Sequence, residues 1–267
     1  MLRHTFLHIP GVSAKTEQAL KDQGIDDWDD LLKQDRIKGL GPKRLQFCKQ
    51  FLRASADALR ANDARFFASL LPKAEHWRAL HDFNDQALYL DLEVDRRKEV
   101  TVVTLTDGLE TRVLVKGVNL CKEELQRALG DAKLVVTFNG ASFDLPALER
   151  EFGITWKALH VDLKTLARRQ GYGGGLKETE KQLGITREYE EKLQLALKGG
   201  DPALLYRMWR GSGDDYYLDL LLEYNEADAY NLFLLARRLI RDGRGSTPGT
   251  ARCTRHPPRR PGLSSPL

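Results

Sequence analysis

The sequence predicts an α/β (α+β) protein, with a mixed sheet flanked by helices and a small all-α domain ahead of it. Three observations carry that prediction. Leu88–Val94 (LYLDLEV) has the apolar, aromatic and alternating composition of a strand. Two further strand patterns, Glu99–Leu105 and Leu109–Lys116, flank an Asp107-Gly108 turn, after which helical and strand patterns alternate to a terminal run of helix. Residues 1–53 show no strand pattern and twice place a Gly-containing turn directly before a helix.

Composition bounds the remainder. The 267 residues hold 42% hydrophobic side chains, enough for a real core and for one sizeable domain plus a small one. No apolar run approaches bilayer length, and the N-terminus lacks the apolar stretch of a signal peptide; the expectation is a cytoplasmic protein with no membrane partner. Cys48, Cys121 and Cys253 lie far apart, which suggests a reducing compartment and argues against a structural zinc site. The net charge of +4 is unevenly spread, with basic ends around an acidic middle. A nucleic-acid enzyme built on a carboxylate cluster has this pattern, and so does ordinary solvated surface charge.

In chain order, Ile9–Leu20 is a Gly turn followed by a helix with Ala19 and Leu20 inward, stopped at Gly24-Ile25. Trp28–Leu32 is a short amphipathic helix, and Ile37–Leu45 repeats the opening turn through Gly39, Gly41, Lys43 and Arg44. Ala54–His81 reads as one helix broken at Pro72, with Leu59, Phe66, Phe67, Leu70 and Leu71 inward. The expected units are therefore 1–53, a helical linker 54–82, the α/β domain 83–241, and a disordered basic tail 242–267 rich in Arg, Pro, Gly and Ser. Within the α/β domain, Cys121–Leu129 has helical spacing and Lys133–Phe138 is a continuous apolar strand suited to a sheet interior. Phe143 opens a helix to Phe152, Val161-Asp162 ends a short strand, Leu163–Arg169 is helical, and a long helix covers Tyr224–Arg241.

The chemistry-bearing residues stand out against that frame. At a period of two, Asp91 and Glu93 share one face of the first strand and Leu90, Leu92 and Val94 the other, so two carboxylates crowd together where hydration is lost. A divalent cation held by oxygen ligands resolves such a pair, and so does a solvated edge strand. Asp144 falls just past a buried strand, where it, or Ser142, could cap the next helix. Tyr224 and Asp228 are four residues apart, and Leu232 and Leu235 continue the stripe of Asp228, which turns its carboxylate inward. Asp162 reads as a helix cap or a support behind the other acids. Asn139 sits in a turn, and Gly173–Gly175 before Lys177 is either a phosphate-approaching helix start or a flexible loop. The pairs Tyr206/Trp209 and Tyr216/Tyr217 suit packing better than base stacking.

Asp91-Leu-Glu93, Asn139-Gly-x-x-Phe-Asp144 and Tyr224-x-x-x-Asp228 together resemble, in order and setting, the DEDD 3′–5′ exonucleases in their tyrosine form. Gly175-Leu-Lys-x-x-Glu-x-x-Leu-Gly184 is most similar to the YprB-like ribonuclease-H-like branch, and the two Gly turns resemble a tandem helix-hairpin-helix module in which Ser13 replaces a usual second Gly. The resemblance covers about residues 85–240. It implies a ribonuclease-H-like fold and two divalent ions, Mg²⁺ or Mn²⁺. Asp91 would bridge them, Glu93 and Asp228 would complete one site, Asp144 would hold the other ion, and Tyr224 would orient the attacking water. Two ions about 4 Å apart activate water and neutralise charge at a phosphodiester. It further implies a DNA or RNA partner, single-stranded or at a 3′ end, met by Asn139 and Lys177 and by Gly39, Gly41, Lys43 and Arg44 of the hairpins. A binding module of the same fold with little turnover, or a structure-specific endonuclease, stays open as an alternative.

Overall fold

The computed structural model describes residues 1–187 and 201–243; most of the basic tail expected at 242–267 lies outside them. Helices α1 (Ala14–Lys21), α2 (Trp28–Lys33), α3 (Pro42–Arg60), α4 (Ala64–Leu70) and α5 (Leu80–Phe83) lead into the sheet. Strands β1 (Ala87–Val94), β2 (Val100–Thr106) and β3 (Thr111–Val115) are followed by α6 (Lys122–Leu129), β4 (Leu134–Thr137), α7 (Asp144–Phe152) and β5 (Leu159–Asp162). Helices α8 (Leu163–Arg169), α9 (Leu176–Gln182), α10 (Pro202–Ser212) and α11 (Asp215–Gly243) complete the described chain.

The five strands run in the order β3-β2-β1-β4-β5. β1, β2 and β3 form an antiparallel meander, while β4 pairs parallel to β1, and β5 parallel to β4. The acidic strand is thus the central one, which sets aside the solvated edge strand as the explanation of its paired carboxylates. Leu90 and Leu92 bury one face of β1 with Val103, Leu125, Val135, Leu145 and Leu148. On the other face Tyr89 and Val136 meet Leu232, Leu235 and Leu239 of α11, in a cluster that continues without a break to Leu2, Phe6 and Trp28.

Four details depart from expectation, each for a local reason. The third strand begins at Thr111 because the Asp107 carboxylate takes the Leu109 and Glu110 N–H groups at 2.8 Å, leaving Leu109 almost wholly exposed. Ala54–His81 is not one helix: α3 ends where Asn62 turns to φ 54°, and Asp63 caps α4. α3 also runs straight through residue 53, where a domain boundary was expected, because Leu45, Cys48, Leu52 and Ala58 form one buried stripe. In α1 the inward partner of Leu20 is Glu17, and Ala19 is exposed. Glu17 tolerates burial because its carboxylate accepts from Thr5 Oγ1 at 2.7 Å and Phe6 N at 2.6 Å, with Arg78 3.8 Å away.

The two Gly turns share one geometry. Val12 N donates to the Ile9 carbonyl at 3.0 Å and Leu40 N to that of Ile37 at 3.1 Å. Gly11 and Gly39 supply φ of 76° and 87° at the third position, which a type II turn demands. Each turn feeds a helix start, capped by Ser13 at α1 and by Gly41 with Pro42 at α3. Arg44 of the second unit donates to the Pro10 carbonyl of the first turn, tying the pair together.

Candidate active site

The site forms where the parallel strands end. β4 pairs with β1 only from Ala87 to Tyr89, so Asp91 and Glu93 continue past the last rung on that side. The Leu92 N–H, left beyond β4, donates to the Asp144 carboxylate. One hydrogen bond therefore joins the central strand to the helix that follows β4. Asp144 is the first residue of α7, and the residue in the cap position is Phe143, which makes no side-chain cap bond. Neither Asp144 nor Ser142 is needed to start the helix.

A tight loop delivers Asp144. Asn139 adopts φ 68°, and its N–H donates to Asp162 Oδ1 at 2.9 Å, while Ala141 N reaches Oδ2 at 3.4 Å. The same Asp162 caps α8 through Lys164 N at 3.0 Å. The Asn139 side chain accepts from Lys164 Nζ at 3.1 Å. Gly140 has no room for a side chain, since a Cβ there would stand 2.2 Å from Thr137 Oγ1.

On the opposite side, α11 brings Tyr224 and Asp228 to the same opening, both nearly buried at 7% and 5% exposure. The Tyr224 hydroxyl hydrogen-bonds Asp228, and Lys177 Nζ lies 6.0 Å from the centre of the Tyr224 ring. A cavity of about 550 Å³ joins these parts, lined by Asp91, Glu93, Asp144, Tyr224 and Asp228 together with Asn139 and Lys177. Phe138, Phe143, Gly175 and Arg187 complete much of its wall. Asp162 does not line it but holds the Asn139 loop that does. Gly39, Gly41, Lys43 and Arg44 belong to the N-terminal helices and do not line it, nor do Tyr206, Trp209, Tyr216 and Tyr217.

The electrostatics of this cavity are those of crowded anions. Burial, then the charges of Asp228, Glu93 and Asp144, push the Asp91 carboxyl well above the ordinary range. Burial and the charges of Asp228, Asp201 and Asp144 raise Glu93 to about 8. Burial raises Asp144 to about 7, against the pull of its backbone hydrogen bonds. Tyr224 is also pushed up by burial and by Asp228 and Glu93, so its hydroxyl keeps its proton.

Two residues here escaped sequence reasoning. Arg187 donates Nη1 to Asp228 Oδ1 at 2.6 Å and pairs through Nε with Glu180, a fully buried acid on α9. Glu180 had appeared only as a position in a motif, and a lone Arg after Leu183-Gly184-Ile185 carries no sequence signal.

A family model described as the RNase H superfamily matches residues 88–240, more than half of the chain. The chain belongs to the RNase H superfamily. None of the curated proteins is significantly similar to it. Membership points to nuclease-type chemistry on a nucleic acid, and RNase H-like nucleases generally use divalent metals. Among the described residues no three His, Cys, Asp or Glu side chains already close into a metal shell. The donor set nonetheless fits such an ion: every candidate ligand in this RNase H-like cavity is a hard carboxylate oxygen, and the anions outnumber Lys177 and Arg187. Among the described residues no helix is long and apolar enough to cross a membrane.

Proposed function

We propose that this RNase H superfamily member is a metal-dependent 3′–5′ exonuclease of the DEDD group in its tyrosine form, acting on DNA or RNA ends. The observation that carries the reading is the convergence of Asp91, Glu93, Asp144, Asp228 and Tyr224, from one strand and two helices, on a single cavity. Asp91, Glu93 and Asp228 would hold one divalent ion and Asp91 with Asp144 a second. Such ions supply a nucleophilic water and neutralise charge that develops on the phosphate.

The remaining work falls to the chain itself. The protonated Tyr224 hydroxyl is a fixed donor and acceptor beside Asp228, placed to orient a water toward a phosphorus atom. Lys177 supplies positive charge on the cavity wall for a phosphate oxygen. Phe143, 42% exposed on the rim, offers an aromatic face to a terminal base. Asn139 has its side chain tied to Lys164, so it acts on the substrate chiefly by shaping the loop.

Residues 1–53 form, in this proposal, a tandem helix-hairpin-helix module that holds the polynucleotide by its backbone. The matched turns at Gly11 and Gly39 and the open helix start at Gly41, with exposed Lys43 beside it, support that role. Arg44 supports it through the Pro10 carbonyl it holds. Lys43→Glu should weaken oligonucleotide binding and flatten its salt dependence by about one unit of log–log slope.

The deciding experiment incubates 5′-labelled single strands of DNA and RNA with wild type and Asp91→Ala in Mg²⁺, Mn²⁺ or EDTA. A metal-dependent ladder shortening from the 3′ end, absent in the variant, is the expected result. Cleavage that persists on a 3′-blocked strand would replace exonuclease by endonuclease. Binding without any cleavage would leave a nucleic-acid-binding module.

A further inference from the structure

Arg187 raises a question that the proposed chemistry does not answer. Its side chain is 6% exposed and spans two carboxylates, those of Glu180 and Asp228, whose side chains alone are 1% and 7% exposed. Nε faces Glu180 and Nη1 faces Asp228 Oδ1, so the two acids are held by separate prongs of one planar fork. Asp228 is one of the acids proposed to bind metal. Glu180 does not line the cavity, and its carboxylate serves no step of the proposed reaction. A buried carboxylate that faces the rear of an arginine and is itself steadied by Asn231 acts as the arginine's anchor.

We propose that Arg187, anchored by Glu180, is a built-in counter-ion that competes with divalent metal for Asp228. The inference rests on the metal-binding reading of the cavity. A guanidinium on Oδ1 and a divalent ion drawing on the same carboxylate repel each other at close range. Metal then loads fully only in the fraction of molecules whose Arg187 has released Asp228, and the apparent affinity falls by that fraction. Glu180 sets the balance. Its charge draws the guanidinium away from the cavity, and loss of that charge would shift the guanidinium toward Asp228. Arg187 is thus a positioning residue for the metal site, acting through Asp228. Between metal-loaded states it also keeps the buried Asp228 charge neutralised.

The test measures Mn²⁺ binding directly, from the electron paramagnetic resonance signal of free aqueous Mn²⁺, on full-length protein. Arg187→Gln should tighten Mn²⁺ about tenfold, the factor for a releasing fraction of about one-tenth. Arg187→Lys should tighten it about threefold even though the charge is kept, because a point-charge ammonium cannot bridge both acids as the fork does. Glu180→Gln should shift affinity the other way, weakening Mn²⁺ by about threefold. A merely structural role for Arg187 predicts loss of affinity in both arginine variants. Tighter binding in Arg187→Gln with wild-type binding in Arg187→Lys would mean a through-space charge effect, and would overturn the competition. If the arginine variants do not fold, Glu180→Gln decides alone, and unchanged or tighter Mn²⁺ binding there sinks the proposal. Absence of Mn²⁺ binding in wild type and every variant would instead bring down the metal reading itself. Binding in Arg187→Gln but not in wild type would support the competition in its strongest form.

Discussion

The two faces of β1 are built from one eight-residue strand and obey opposite rules. The Leu90 and Leu92 side chains belong to an apolar cluster with residues of α6, α7 and the flanking strands, so their burial stabilises the fold. Asp91 and Glu93, one residue away on the other face, are buried among further carboxylates, and burial first, then those charges, raises their affinity for protons. A strand whose side chains alternate can carry stability on one face and stored repulsion on the other without either disturbing the backbone. The meander keeps the ladder intact opposite the acids, with Asp91 against Thr104 and Glu93 against Val102. Early termination of β4 opens the space they face.

Adjacent substitutions should separate the two rules. Asp91→Asn is expected to lower nuclease turnover on the order of 10³-fold or more, since a bridging ligand supports several kcal/mol of charge stabilisation. The same change removes a like charge from a crowded site, so the metal-free melting temperature should stay level or rise. Leu90→Ala should do the converse, lowering stability by about 2–5 kcal/mol while the surviving folded protein keeps its turnover per molecule. Denaturation in EDTA and initial rates in Mg²⁺, run on both variants, check the pair. A strongly destabilised Asp91→Asn would show that its carboxylate holds the fold, and the contrast would collapse.

Proton linkage sharpens the comparison at a smaller scale. Glu93 at about 8 and Asp144 at about 7 bind protons more readily in the folded chain than in the unfolded one. Their stabilising contribution is complete below the ordinary carboxylate range and is lost as pH rises through the folded values. His8 and His160, lowered to about 4 by burial, run the other way, but their contribution is complete above about pH 6.5. Between about pH 6.5 and 8 the acidic face therefore governs, and metal-free stability should fall as pH rises. Urea midpoints in EDTA should show that fall, Glu93→Gln should flatten most of it, and saturating Mn²⁺ should abolish it. Leu90→Ala should leave the slope untouched. A flat wild-type profile would mean that the carboxylates are already compensated.

Most of this arrangement was legible in the sequence because it rests on short-range periodicity. The alternation of Leu88–Val94, the apolar run Lys133–Phe138 and the four-residue spacing of Tyr224 and Asp228 are each legible locally. Their convergence was legible only through the order of the three motifs. What escaped depends on pairing across the chain. Glu17 inside α1 looks like a surface acid until Thr5 and Phe6 fold back on it. Asn62 breaks a helix that propensity alone would have continued through Leu59 and Phe66. Arg187 and Glu180 lie at opposite ends of an eight-residue segment, and nothing in their spacing says that one fork will reach Asp228, 41 residues farther on.

The smallest expected effect belongs to Tyr224, which stands between the two regimes: its ring packs with Val102, Leu205 and Leu221 while its hydroxyl reaches Asp228. Tyr224→Phe keeps the ring and deletes the oxygen. Packing should survive, and one hydrogen bond to a charged group, about 1.5–3 kcal/mol, should be lost from whichever state uses it. If the hydroxyl orients the attacking water, that loss appears in the rate as a fall of about tenfold to a hundredfold, with Mn²⁺ affinity close to wild type. If it only steadies Asp228, it appears in Mn²⁺ affinity, and the rate at saturating metal is unchanged. A single-turnover rate measured at saturating Mn²⁺, set beside the binding isotherm of the same variant, assigns the hydroxyl to the reaction or to the scaffold.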